Sequence, residues 1–183
     1  MIQARPVMQQ SHGTILKLYP LGEQGLIVVW LSPDYGIIRT AARSARKAGS
    51  DFFGQLDLFY ESEFLCTAAK KGDLYGLKSV QLIRPRLQLR GDLTKLRLAS
   101  YMARLILATV EAGHAEACWH ELLAGGLDYL NDTPASLAIM RHFEKRLAQL
   151  HGVYSPEQEP HRSLLTHFHS LPAGRQELIE AFC

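Results

Sequence analysis

A two-part α+β protein, with a small closed β-barrel ahead of an all-α helical domain, is the fold class this sequence predicts. Three observations carry it. Apolar residues in the first half alternate as in strands, those in the second half recur three or four apart as in helices, and turn residues break the first half at short intervals. The boundary falls near "PRLQLRG" (85–91), dividing the chain into residues 1–86 and 87–183.

The strands come in order. "TILKLYPLG" (14–22) alternates Ile15, Lys17 and Tyr19 against Leu16 and Leu18, and stops at Pro20 and Gly22. "GLIVVWLS" (25–32) is the β-branched and aromatic run of a strand buried on both faces, "SPDYG" (32–36) turns the chain, and "GIIRTAAR" (36–43) completes a hairpin. After a basic segment, "LDLFYESEFLCTAA" (56–69) alternates again, "KKGDLYG" (70–76) is a lysine-rich turn, and "LYGLKSVQLIRP" (74–85) ends at Pro85. Five short strands with a longer excursion after the third fit a five-stranded OB-fold β-barrel, with an SH3-like barrel as the nearest competitor.

The period then changes. "DLTKLRLASYMARLILATVEAG" (92–113) predicts a helix closed by Gly113, and "AEACWHELLAGGLDYLN" (115–131) a second with a Gly-Gly interruption. "TPASLAIMRHFEKRLAQLHG" (133–152) opens on Thr133 as N-cap with Pro134 at the first helical position. A loop rich in Pro and His leads to a last short helix, "GRQELIEAFC" (174–183).

Composition narrows the function classes. Of the 183 residues, 47% are hydrophobic and 21% charged, which suits packed cores and argues against disorder. The longest apolar run, Leu26–Leu31, is too short to cross a bilayer, and the first residues lack the apolar stretch of a signal peptide, so the expectation is a cytoplasmic protein with no membrane contact. Cys66, Cys118 and Cys183 are odd in number and unpaired in spacing, which supports neither a disulfide framework nor a zinc ribbon. No nucleotide-binding glycine loop, nucleophile elbow or His-Glu-x-x-His helix is present, so no enzyme is expected.

Charge is the most informative feature. Residues 1–90 hold 12 Lys and Arg against 7 Asp and Glu, and the remainder 8 against 11, an asymmetry that points to a polyanion on the basic half. "RTAARSARKAGS" (39–50) concentrates it, with Arg39, Arg43, Arg46 and Lys47 and no acid before Asp51. Lys70 and Lys71 on the last hairpin and Arg86 at the boundary complete the candidate surface for nucleic acid. Cations neutralise phosphates and release counterions, while stacking on aromatic faces adds sequence-tolerant affinity. A solvated loop that serves only solubility is the competing reading. Tyr35, Phe52 and Phe53 lie close by in sequence, the two phenylalanines being read as core before stacking platforms.

Metal ligands are sparse by spacing. His114 and Cys118 stand four apart with His120 near them, and His167 and His169 form a His-x-His, but two donors at a time do not make a zinc site, so no metal or cofactor is expected. Cys66, within a strand, reads as a small core residue. The helical half has the apolar faces of a core or of a docking surface, where Arg97, Arg104, Arg141 and Arg146 are candidates to hold an acidic tail peptide.

Taken in order, "EQGLIVVWLSPDYGIIRTAAR", "ARSARKAGSDFFGQLDLFYESEF", "LKSVQLI" and "LASYMARLILATVEAG" resemble the bacterial DNA-repair protein RecO family of recombination mediators, over about residues 13–130. The resemblance implies an N-terminal OB barrel and a helical C-terminal domain. It also implies binding of single- and double-stranded DNA, annealing of complementary strands, and contact with the tail of single-stranded DNA-binding protein. It further implies cooperation with a RecR-type partner in loading recombinase, nucleoid association, and no nucleotide consumption. By position, Arg39, Arg43, Arg46 and Lys47 would belong to the DNA surface. Many members carry a four-cysteine zinc module after the helix matching 133–150, whereas "LHGVYSPEQEPHRSLL" crosses that place without a cysteine, so a divergent member lacking the module is expected. An RNA-binding OB module and a protein-interaction adaptor are the alternative functions.

Overall fold

The computed structural model describes residues 8–68 and 72–182. Their backbone packs into two units, one formed by the chain up to Pro85 together with Glu111–His120, the other by Arg86–Val110 together with residues 121 onward.

The first unit is a closed barrel of β1 (Met8–Leu21), β2 (Gly25–Ser32), β3 (Gly36–Ala42), β4 (Glu61–Thr67) and β5 (Leu74–Arg84), in the order β1-β2-β3-β5-β4. β1 serves two neighbours: Met8–Thr14 pairs antiparallel with β4, and Thr14–Leu21 antiparallel with β2. A bulge between Ile15 and Lys17 bends the strand so that one segment can turn the corner. Closure comes from a short parallel pairing of β3 with β5, Arg39 opposite Leu74 and Ala41 opposite Gly76. This is the OB arrangement, not the SH3-like competitor.

β1 begins six residues earlier than the alternation suggested. "MQQSHG" is too polar to announce a strand, and it becomes one because β4 offers it a ladder. β4 in turn begins at Glu61 rather than 56. Phe59 takes a left-handed backbone (φ 67°) and is buried, its N–H donates to the Ile15 carbonyl at 2.9 Å, and the Ile15 N–H donates to the Tyr60 carbonyl at 2.9 Å. Leu56 and Phe59 are apolar because a turn buries them.

Alternate residues of the strands fill the barrel: Ile15, Val28, Trp30, Ile38, Ala42, Phe64, Cys66 and Leu77. Trp30 is fully buried, stacks on Phe64 with centroids 4.7 Å apart, and donates its indole N–H to Thr40 Oγ1 at 2.8 Å, so its polar edge stays satisfied. Cys66 is the core residue expected, and burial pushes its thiol pKa up. Residues 111–120 dock on this barrel: Ala112 bridges Ile37, and the Gly113 N–H donates to the Ile37 carbonyl at 3.2 Å. The approach is close enough to require glycine at 36, where φ is 64° and a Cβ would lie 2.4 Å from the His114 carbonyl oxygen.

The remaining elements are α1 (Leu93–Thr109), α2 (Ala117–Asp132), α3 (Leu137–Leu150), α4 (Pro160–Phe168) and α5 (Arg175–Ala181), preceded by a 3-10 turn at Leu87–Gly91. No helix among the described residues is long and apolar enough to cross a membrane. Asp92 caps α1, its carboxylate accepting from Thr94 N at 2.7 Å and Lys95 N at 3.1 Å. Several boundaries differ from the expected ones. α1 ends at Thr109, which leaves Gly113 to the segment docked on the barrel. α3 is capped by Ser136, because Thr133 spends its hydroxyl on the Tyr129 carbonyl at 2.6 Å. Gly125 and Gly126 do not interrupt α2; a Cβ on Gly126 would stand 3.3 Å from the Phe143 ring of α3, so the missing side chain allows close packing. The expected Pro- and His-rich loop contains α4, which Pro160 opens at its first turn.

A buried carboxylate ties this helical unit together. Glu144 of α3 is wholly buried and accepts from Tyr101 Oη at 2.7 Å and from Arg175 Nε and Nη2 at 2.7 and 3.1 Å, with His161 Nδ1 3.6 Å away. Burial alone would raise its pKa, but the bonds from His161, Arg175 and Tyr101 outweigh that and hold it below the ordinary value of 4.5. Its contribution to stability is therefore complete above pH 4.5 and lost as pH falls through the lower folded value. We expect Glu144→Gln to lower the unfolding free energy at neutral pH by about 3 kcal/mol, since it removes the two-bonded charge partner of the partly buried Arg175 and leaves that guanidinium only its longer contact with Glu159. The gap between variant and wild type should close in urea titrations run from pH 6 down to pH 3; a gap that stays constant would contradict this assignment.

Candidate nucleic-acid interface

The segment between β3 and β4 is a chain of tight turns. The N–H of Arg46 donates to the Gln24 carbonyl at 2.9 Å, that of Lys47 to Ser44 at 3.1 Å, that of Ser50 to Lys47 at 3.0 Å, and that of Phe53 to Ser50 at 2.9 Å. Three apolar side chains, Ala45, Phe52 and Leu56, fix these turns to the barrel core. Arg46 and Lys47 between them, and Arg43 just before Ala45, are left outside, all three exposed. Burial of the small and aromatic residues thus dictates exposure of the cations.

Among the described residues no carboxylate pairs with Arg43, Arg46 or Lys47. Arg39 differs. It projects outward from β3, and its Nη1 lies 3.5 Å from Asp73 Oδ2 with both side chains more than half exposed. Such an exposed pair is weak and screened by salt, so it leaves Arg39 exchangeable toward a stronger anion. Lys70 and Lys71 lie outside the described residues.

Arg86 does not belong to this surface. It is 5% exposed, takes a left-handed backbone (φ 46°), and donates from Nε to Asp128 Oδ1 of α2 at 2.6 Å within the helical unit. The expectation of an accessible boundary cation is corrected here: a buried, charge-assisted hydrogen bond occupies the guanidinium.

The aromatic pair divides. Phe52 is 8% exposed in the core, as expected, whereas Phe53 is 62% exposed, six residues beyond Lys47. Tyr35 packs against the core cluster. An exposed phenyl ring on the same loop as unpaired cations supplies the two residue types that backbone neutralisation and base stacking use together.

The histidines regroup in a way their spacing conceals. His114 Nε2 bonds Glu116 Oε1 at 2.8 Å on an exposed turn, and Cys118 lies against the same carboxylate, but His120 leaves that group. It is buried, 3.5 Å from Thr14 Oγ1, and meets the ring of His12 edge-on at 5.1 Å. Ligand atoms of His12, Glu61 and His120 all lie within 4.8 Å of one another. Their positions, 12, 61 and 120, are far apart in sequence, so no linear motif could have shown them.

In the helical unit Arg141 is committed to Glu159 at 2.9 Å, and Arg146 bonds Gln149 at 3.1 Å. Arg97 and Arg104 instead line a groove of about 430 Å³ with Leu96, Ser100, Glu177 and Leu178.

Comparison with known proteins gives these features a family. The profile described as Recombination protein O N terminal matches residues 8–86, and the one described as Recombination protein O C terminal matches residues 90–165. The "DNA repair protein RecO" of Synechococcus elongatus is 32% identical over 136 residues, covering 74% of this chain and 50% of the relative. That of an Anaeromyxobacter species is 33% identical, covering 72% and 52%, and that of a Synechocystis species is 29% identical, covering 86% and 57%. The chain therefore spans about half the length of the curated relatives it matches. With one profile on the closed five-stranded barrel and the other on the helices that follow it, the chain belongs to the Recombination protein O family.

Proposed function

We propose that this protein is a non-catalytic recombination mediator that binds and anneals single-stranded DNA and helps to load recombinase during DNA repair. The observation that carries the reading is the loop after β3, where apolar side chains are pinned inward while Arg43, Arg46 and Lys47 are exposed without carboxylate partners. Arg39, held only by its exposed pair with Asp73, is proposed to extend this set, as are, by sequence position, Lys70 and Lys71, which lie outside the described residues. Cations of this kind hold the phosphate backbone without reading sequence, which suits a protein that must act at any break. Annealing follows from screening, because two strands whose phosphates are neutralised repel each other less. Double-stranded DNA is bound by the same electrostatic means. Family membership and the relatives named DNA repair protein RecO support the assignment over an RNA-binding barrel or an adaptor.

For protein partners, the groove of Arg97 and Arg104 offers two guanidinium groups beside the apolar Leu96 and Leu178, the chemistry suited to an acidic, partly apolar peptide such as the tail of single-stranded DNA-binding protein. A RecR-type partner completes the proposed assembly.

Three outcomes test this. Replacing Arg43, Arg46 and Lys47 together with Ala should weaken single-stranded DNA binding and reduce the slope of log affinity against log salt by about 2, at roughly 0.7 per phosphate contact. Fluorescence anisotropy across a salt series measures it, and an unchanged slope sinks the proposed surface. Phe53→Ala should cost about 1–3 kcal/mol of that affinity with the unfolding midpoint unaltered, whereas Phe52→Ala should cost about 3 kcal/mol of stability. Equal stability losses in the two would refute the division of roles. Charge reversal at Arg97 and Arg104 should lower affinity for an acidic tail peptide by at least about tenfold while leaving oligonucleotide binding intact; retained peptide capture would remove the groove from the proposal.

A further inference from the structure

We propose that His12, Glu61 and His120 form a zinc-type divalent cation site that clamps residues 111–120 to the barrel wall. The ladder between β1 and β4 sets Thr14 opposite Glu61 and His12 opposite Glu63, so His12 and Glu61 lie on one outward face of two adjoining strands. His120, in the first turn of α2, reaches that face, its Nε2 standing 3.5 Å from Thr14 Oγ1. Among the described residues this is the group of three donors whose ligand atoms converge, all within 4.8 Å of one another.

The donor set selects the metal. Two imidazoles and one carboxylate suit a borderline cation such as zinc, whereas magnesium and calcium demand oxygen donors. Zinc bonds of about 2.0–2.1 Å require neighbouring ligand atoms roughly 3.4 Å apart, so side-chain rotation closes the site without moving the strands. His12, half-buried, gives the ion its way in, and three protein ligands leave a fourth position for water beside the Thr14 hydroxyl. The exposed His114, Glu116 and Cys118 turn is a separate group with no part in it.

Bound metal would join three segments distant in sequence, around residues 12, 61 and 120, and would stabilise the unit that carries all three ligands. The test uses the full chain stripped with a chelator and titrated with zinc chloride in a calorimeter, with magnesium chloride as control. One zinc per chain, a raised melting temperature and no response to magnesium are expected. Affinity should fall at least about tenfold in His12→Ala and in Glu61→Gln and stay unchanged in Cys118→Ala. His12→Ala is the deciding variant, because its half-buried ring is the least needed for folding. Cobalt(II) offers a second readout: the loaded protein should show no thiolate charge-transfer band, since no cysteine is a ligand. Absence of stoichiometric zinc, affinity indifferent to His12→Ala, or a thiolate band each overturns the assignment.

Discussion

Closure of the barrel by one bent strand is the constraint on which the rest of the first unit depends. β1 can pair with both β4 and β2 only because the bulge after Ile15 redirects it, and the bulge is held by the reciprocal bonds of Ile15 with Phe59 and Tyr60. Both long-range ladders and the left-handed turn at Phe59 therefore stand or fall together. A closed barrel leaves no free sheet edge, so chemistry must be carried on its outer wall and on the loops that leave it.

Two of those features carry the proposed DNA surface and the proposed metal site, and they are built oppositely. The loop after β3 presents charge by burying its neighbours: Ala45, Phe52 and Leu56 are drawn into the core and the cations between them are left in water. The outer wall of β1 and β4 instead gathers polar donors under cover, with Thr14, Glu61 and His120 all buried. Exposed cations attract a polyanion at long range and slide along it, whereas buried donors hold one small ion in one place.

The helical unit rests on a different principle. Its helices share one buried carboxylate, Glu144, whose hydrogen bonds reach Tyr101 of α1 and Arg175 of α5, with Arg175 joined in turn to Glu159 at 3.5 Å. Removing a partner from such a network is far more costly than any exposed ion pair on the barrel. Arg86 is another example, since it looked like part of a basic patch in sequence and is in fact occupied by Asp128.

The sequence by itself determined the two-part α+β architecture, the five strands in order, and the cationic stretch from Arg39 to Lys47, because hydrophobic period and local charge are properties of neighbouring residues. It could not determine that "MQQSHG" is strand, that Phe59 buries in a turn, or that the Pro- and His-rich stretch holds α4. In the first two of these, a partner distant in sequence overrides local preference. Nor could it separate Phe52 from Phe53, or Arg86 from Arg46, since adjacent or chemically identical side chains differ only in what the fold places beside them. The meeting of His12, Glu61 and His120 was decided by tertiary structure alone, because strand pairing and the docking of residues 111–120 bring together donors that no spacing along the chain connects.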